Sequence, residues 1–194
     1  MIKKIMLVSL IGIYGALKSQ ETAQNNEKPE VQLGVKAGFV SSTITSTFVK
    51  FDPLTYFYAG IVAEKPVSEK FSIQAEAVYT RLGGTFITPS FEIANNNVQP
   101  ITVKYTNRFT QIQIPVSAKH YIIPDLSASL GMNFAFNIST DSKNDRPTNG
   151  GPAIQLDDIK TLNLFPFLGA EYKITEKFFI DARYNFNFFS IAKM

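Results

Sequence analysis

The sequence predicts an all-β protein, an antiparallel up-and-down transmembrane β-barrel, and three observations carry that expectation. Stretches of about ten residues alternate apolar and polar side chains. The connections between them switch between short turns and long polar loops. The chain opens on what looks like an export signal, followed by a remainder that contains no cysteine.

Lys3 and Lys4 form a basic start, Ile5 to Leu17 an apolar run, and Ala16-Leu17-Lys18-Ser19 precedes Gln20 as a cleavage region. The run is about 13 residues, short of the about 20 that a membrane-spanning helix needs, so residues 1–19 are expected to be a signal peptide rather than an anchor. Leu17 stands where a small residue is preferred, which leaves the cleaved bond unassigned. Removing Lys3, Lys4 and Lys18 from the 19 basic residues leaves 16 against 16 acidic ones. A mature chain so balanced has no basic excess to bind nucleic acid. With zero cysteines there is neither a disulfide framework nor a lipid-modified N-terminal cysteine. A hydrogen-bonded barrel in lipid needs no such staple, because its strands pair one another.

Residues 20–30 are polar and aperiodic and read as a periplasmic linker, with the barrel domain over 31–194. In the first strand Val31, Leu33, Val35, Ala37 and Phe39 point one way, toward lipid, and Gln32, Gly34, Lys36 and Gly38 the other. The second, about 57–65, turns Phe57, Ala59, Ile61 and Ala63 out, with Gly60 and Glu64 in. After the turn at 66–70 the third, about 71–80, turns Phe71, Ile73, Ala75, Ala77 and Tyr79 out, with Ser72, Gln74, Glu76 and Thr80 in.

The fourth strand sets Ile112, Ile114, Val116 and Ala118 against inward Gln111, Gln113, Ser117 and Lys119. Pro115 falls on its inward set and is expected to mark a bulge or kink, since proline forfeits a ladder hydrogen bond. The fifth turns Leu126, Ala128, Leu130, Met132, Phe134 and Phe136 out, and the sixth Leu164, Leu168, Ala170, Tyr172 and Ile174. Phe165 and Phe167 fall on the inward face of the sixth, where they are placed to plug the lumen. The seventh turns Phe178, Ile180, Ala182, Tyr184 and Phe186 out, with Asp181, Arg183, Asn185 and Asn187 in. The turn at 175–177 keeps both faces in register.

Connections at 66–70, 121–125 and 175–177 are short, whereas 41–56, 81–106 and 138–160 are long and polar. Such alternation places the short turns in the periplasm and the long loops outside. A soluble lipocalin-like barrel alternates too, but buries its apolar set. Here the apolar sets are nearly free of charge, aromatics gather toward strand ends, and charges of both signs share the opposite face, which favours lipid outside.

The segment Gln113-Ile114-Pro115-Val116-Ser117-Ala118-Lys119-His120-Tyr121, together with Gly169-Ala170-Glu171-Tyr172-Lys173 and Phe179-Ile180-Asp181-Ala182-Arg183-Tyr184-Asn185, resembles the corresponding strands of the PorT-like outer-membrane β-barrel proteins of Bacteroidetes. The resemblance spans about residues 31–190. It implies an eight-stranded barrel in the outer membrane; most members have no assigned activity, and the family's name comes from one linked to protein secretion. Seven strands are recognisable in this chain. An unpaired edge in lipid is costly, so either the chain is truncated and lacks its closing strand or residues 81–106 supply the extra pairing, the first being favoured.

The candidate residues are inward charges: Lys36, Glu64, Glu76, Lys119, Glu171, Lys173, Asp181 and Arg183. Glu171 and Asp181 sit close together on the last hairpin, as paired acid/base carboxylates would. The interior of an eight-stranded barrel is just wide enough to be filled by side chains, so a structural charge network, with Arg183 between Glu171 and Asp181, is the stronger reading. The single histidine, His120, has no evident nucleophile or acid partner. Asp141, Asp145, Asp157 and Asp158 match no calcium-loop spacing, and Asn149-Gly150-Gly151-Pro152 reads as a turn. No catalytic, cofactor or metal site is therefore expected. The expected partners are outer-membrane lipid and an envelope protein, with no nucleic acid and a monomeric barrel. Three roles follow in order: a non-catalytic anchor or accessory, a surface binding or adhesion barrel using its long loops, and, weakest, a lipid-modifying enzyme.

Overall fold

A computed structural model describes residues 5–7, 11–14, 31–44, 50–94, 97–146, 161–175 and 177–186. The proposed cleavage region, the 20–30 linker, the 149–152 turn, Asp157, Asp158 and Asn187 lie outside them.

Seven strands follow one another in chain order: β1 (Gln32–Ser42), β2 (Asp52–Pro66), β3 (Phe71–Ala94), β4 (Asn97–Ile123), β5 (Leu126–Asn144), β6 (Leu162–Lys173) and β7 (Phe178–Asn185). Each pairs antiparallel with the next in a single sheet. The sheet is curled and inverted: Phe39, Phe57, Ile61, Phe71, Ile73, Leu130, Leu168 and Phe178 are exposed, while Lys36, Glu64, Glu76 and Lys119 are buried. Burial alternates residue by residue from Phe71 to Thr80, as the apolar pattern requires.

An odd number of up-and-down strands leaves β1 and β7 running in the same direction, and these two edges do not pair with one another. Two short segments, Ile5–Leu7 and Ile11–Tyr14, lie between them, each antiparallel to both. Two pieces of the apolar run that resembles an export signal therefore occupy the seam.

The strands are longer than the alternation alone suggests. Of residues 81–106, expected as a loop, 81–94 and 97–106 continue β3 and β4 in one unbroken register from Val78↔Gln113 to Ala94↔Asn97. Gly83 and Gly84 hide this by interrupting the alternation, yet the Thr, Ile, Phe and Val residues beyond them are strong strand formers. Phe86 stacks on its cross-strand partner Tyr105 with ring centroids 4.9 Å apart. Pro89 and Pro100 are tolerated because β2 ends opposite Thr85 and β5 opposite Tyr105, leaving the ribbon's outer edges unpaired. These residues do not close the seam.

Pro115 does not create the expected bulge. It pairs in register with Asn133 on one side, and on the other the β3 ladder lapses at Glu76 and Ala77 and resumes in the same register. The shifts in β4 fall instead at Thr110/Gln111 and Tyr121/Ile123.

Among the described residues the apolar interior is a cluster of Val40, Tyr58, Val78, Leu82, Ala135 and Phe165 toward the long-hairpin end, with a second, smaller one of Val62 and Phe179. Phe167 and Phe179 are fully buried nearer the turns. Gly131 makes room for Phe167: a Cβ built there would stand 2.6 Å from Phe167 Cζ and 2.3 Å from the Val116 carbonyl oxygen. Gly131→Val is expected to lower barrel stability by about 1–3 kcal/mol through overpacking. The check is a reduced urea midpoint for the loss of the fast-migrating unheated band on gels, a readout suited to a chain with no tryptophan.

Candidate functional site

The inward faces of six of the seven strands, all but β5, contribute one or two ionisable groups to the half of the lumen nearest the short turns. They fall into two tiers. In the tier nearest the turns, Lys119 of β4 lies between Glu64 of β2 and Glu171 of β6, its Nζ 2.7 Å from a carboxylate oxygen of each. Ser72 Oγ donates to Glu64 Oε1 at 2.6 Å, and the Tyr121 hydroxyl donates to the same oxygen. Lys119 and Glu64 are each 1 % exposed, so the ammonium is screened from water by its two carboxylates.

One layer deeper, Glu76 of β3 receives a two-pronged contact from Arg183 of β7: Nη2 donates to Oε1 at 2.6 Å and Nη1 to Oε2 at 3.2 Å. Lys36 of β1 bridges Glu76 at 3.2 Å and Asp181 at 3.3 Å. Gln74 Nε2 donates to Glu76 Oε1 at 2.7 Å. The Arg183 guanidinium lies 4.2 Å from the centroid of the Phe167 ring, so an inward aromatic also serves as a cation–π partner. Lys36 joins β1 to β3 and β7, tying together strands on either side of the seam.

Above the charges comes an amide chain: Asn133 Nδ2 donates to Gln113 Oε1 at 2.8 Å, Gln113 Nε2 to Gln111 Oε1 at 2.8 Å, and Gln111 Nε2 to Asn137 Oδ1 at 2.7 Å. The apolar cluster follows. A lumen cavity lined by Lys36, Tyr58, Glu76, Asn133, Arg183 and Asn185 measures about 10 Å³, roughly the room one water needs.

Seven of the eight candidate charges are thus buried inside the barrel. Lys173 differs: it is half-buried at the turn-end mouth, its Nζ 4.7 Å from the Tyr121 ring centroid. Glu171 and Asp181 are direct cross-strand neighbours, but they belong to different tiers. Glu171 pairs with Lys119, and Arg183 pairs with Glu76, approaching Asp181 only at 4.0 Å. Hairpin adjacency suggested Arg183 between Glu171 and Asp181; the reach across the lumen decides otherwise. Ser72, Gln74, Tyr121 and Phe167 complete the network, and all four stand on inward positions of the alternation.

His120 is exposed on the outward face, tilted against Phe71 with centroids 4.7 Å apart. Asp141 meets Arg108 at 3.8 Å, and Asp145 Oδ1 accepts the Lys104 amide at 2.6 Å. Among the described residues no group of three or more His, Asp or Glu is placed to hold a metal ion.

An inverted sheet with an apolar exterior and a neutralising polar interior defines a membrane β-barrel. The family model for the outer membrane protein β-barrel domain matches residues 22–193, and the chain belongs to that family. Neither the curated proteins nor the solved structures gave a match.

Lys119→Met leaves Glu64 and Glu171 buried without the ammonium between them, and such broken buried pairs cost about 3–5 kcal/mol. The expected result is a lower urea midpoint for the unheated fast-migrating band. Adding Glu64→Gln and Glu171→Gln to Lys119→Met is expected to restore much of the loss, because no buried charge is then uncompensated.

Proposed function

We propose that this outer-membrane barrel is a non-catalytic envelope anchor or accessory protein, PorT-like and related to protein secretion, acting as a monomeric barrel beside an envelope protein partner. The observation that carries the reading is the use of the interior charges. Glu64, Glu76, Lys119, Arg183, Lys36 and Asp181 are spent on one another, and Phe165 and Phe167 fill the lumen beyond them. A lumen occupied in this way neither conducts solutes nor presents a carboxylate to substrate. Reconstituted protein is therefore expected to give no conductance steps above a protein-free planar bilayer, and steady porin-like steps would overturn the reading.

A second reading, a surface binding barrel, is favoured by the β3–β4 ribbon. Directly paired residues share a face, so Ile87, Pro89, Phe91, Val98 and Pro100 stand together on one side of it, all exposed. Photo-crosslinkers at Ser68 and Thr175 in the turns, and at Phe91 and Val98 on the ribbon, separate the two. Adducts to an envelope protein from the turns support the accessory role. Adducts confined to the ribbon favour surface binding.

A further inference from the structure

We propose that the outward face of β3, β4 and β5, just beyond the lipid-facing rows, is a binding site for the anionic, phosphate-bearing headgroup of an outer-leaflet lipid, formed by Arg81, Arg108 and Lys143. The site rests on the orientation that puts the long hairpins outside the cell.

Its position follows from the register. The outward rows across these strands run Phe71–His120–Ala128, Ile73–Ala118–Leu130, Ala75–Val116–Met132, Ala77–Ile114–Phe134 and Tyr79–Ile112–Phe136. At about 3.3 Å per residue and about 40° of tilt, residues 71–79 climb about 20 Å, most of the roughly 25 Å apolar band of an outer-membrane barrel. Tyr79 and Phe136, both exposed, are the aromatic border of that band. The next three rows are Arg81–Thr110–Ser139, Gly83–Arg108–Asp141 and Thr85–Thr106–Lys143. Arg81, Arg108 and Lys143 therefore stand on three adjacent strands and three successive rows, with neighbours about 8 Å apart at the backbone, within convergent reach of their long side chains.

Arg81 and Lys143 are exposed. Arg108 is held by a loose 3.8 Å pair to Asp141, with its side chain 36 % exposed, and its Nε is buried with no hydrogen-bond partner. Gly83 beside it has no side chain to cover the guanidinium. Asp141 is the one acid of β3–β5 within the three rows; Asp52 continues the third row on β2, opposite Thr85, and Asp145, beside Lys104, lies one row further out. Three cations against Asp141 within these strands and Asp52 at their flank still leave a net positive patch directly above the apolar surface of Tyr79, Ile112, Phe136 and Ile138. Guanidinium groups match phosphate oxygens two at a time, and the surface beneath accepts acyl chains, which a free anion would not need.

The full chain is reconstituted in neutral phosphatidylcholine vesicles with and without phosphatidic acid, a phosphomonoester lipid serving as the probe. The readout is the temperature at which the unheated gel band is lost. Phosphatidic acid is expected to raise that temperature, and Arg81→Gln/Arg108→Gln to lose most of the rise while matching the parent in neutral vesicles. Lys65→Gln/Lys70→Gln, at the opposite mouth, is expected to keep it. If Arg81→Gln/Arg108→Gln fails to insert, Arg81→Gln/Lys143→Gln takes its place, since it leaves the Arg108–Asp141 pair intact. The proposal is overturned if the outer variants keep the full rise, if the turn-end variant loses as much, or if inorganic phosphate alone reproduces it. Loss of the band for the parent chain in neutral vesicles would instead count against the barrel itself.

Discussion

In the hydrocarbon of a bilayer a peptide group has no water to bond, and each one left unpaired costs several kcal/mol. That requirement governs this molecule more than any side-chain contact. It explains why the lipid-crossing part of the chain is strand after antiparallel strand, each paired with the next. It also makes the seam between β1 and β7 the critical place in the fold. Two strand edges that run in the same direction call for one strand antiparallel to both, and the backbone of Ile5–Leu7 and Ile11–Tyr14 meets that geometry.

The second constraint is the interior. Once lipid claims the apolar face of every strand, polar side chains have only the lumen, and there each charge has to be neutralised locally. The two tiers do this with different chemistry. Lys119, a compact ammonium, sits between two carboxylates, whereas Arg183 uses its planar fork on Glu76 and its flat face on Phe167. The amides above them form a chain that needs no charge, and the apolar plug of Val40, Tyr58, Val78, Leu82 and Phe165 needs no partner at all. Polarity thus declines from the charge tiers through the amides to the apolar plug, and the barrel is filled rather than open.

Much of the architecture was legible in the residues themselves, because a period of two is unambiguous wherever lipid lies on one side. The strand order, the face of almost every residue and the inward set of charges follow from it. What it could not show were facts of three dimensions. Arg183 chooses Glu76, which is distant in sequence, over Glu171 on its own hairpin, since barrel curvature brings β3 and β7 to a common centre. Inward apolar residues such as Tyr58, Val62 and Phe179 carry no polarity to set them apart from their lipid-facing neighbours, so the core they form went unseen. The β3–β4 ribbon stayed hidden behind Gly83-Gly84, Pro89 and Pro100, residues that mark loops in soluble proteins and here lie in an ordered ladder.

The assignment of faces is the claim on which the lumen network and the lipid surface both rest, and the absence of cysteine makes it directly measurable. Single cysteines placed in turn at residues 73 to 79 and spin-labelled in vesicles report contact with lipid through collisions with dissolved oxygen. The account predicts high oxygen collision rates at 73, 75, 77 and 79 and low rates at 74, 76 and 78. Equal rates along the segment, or the opposite phase, would contradict it.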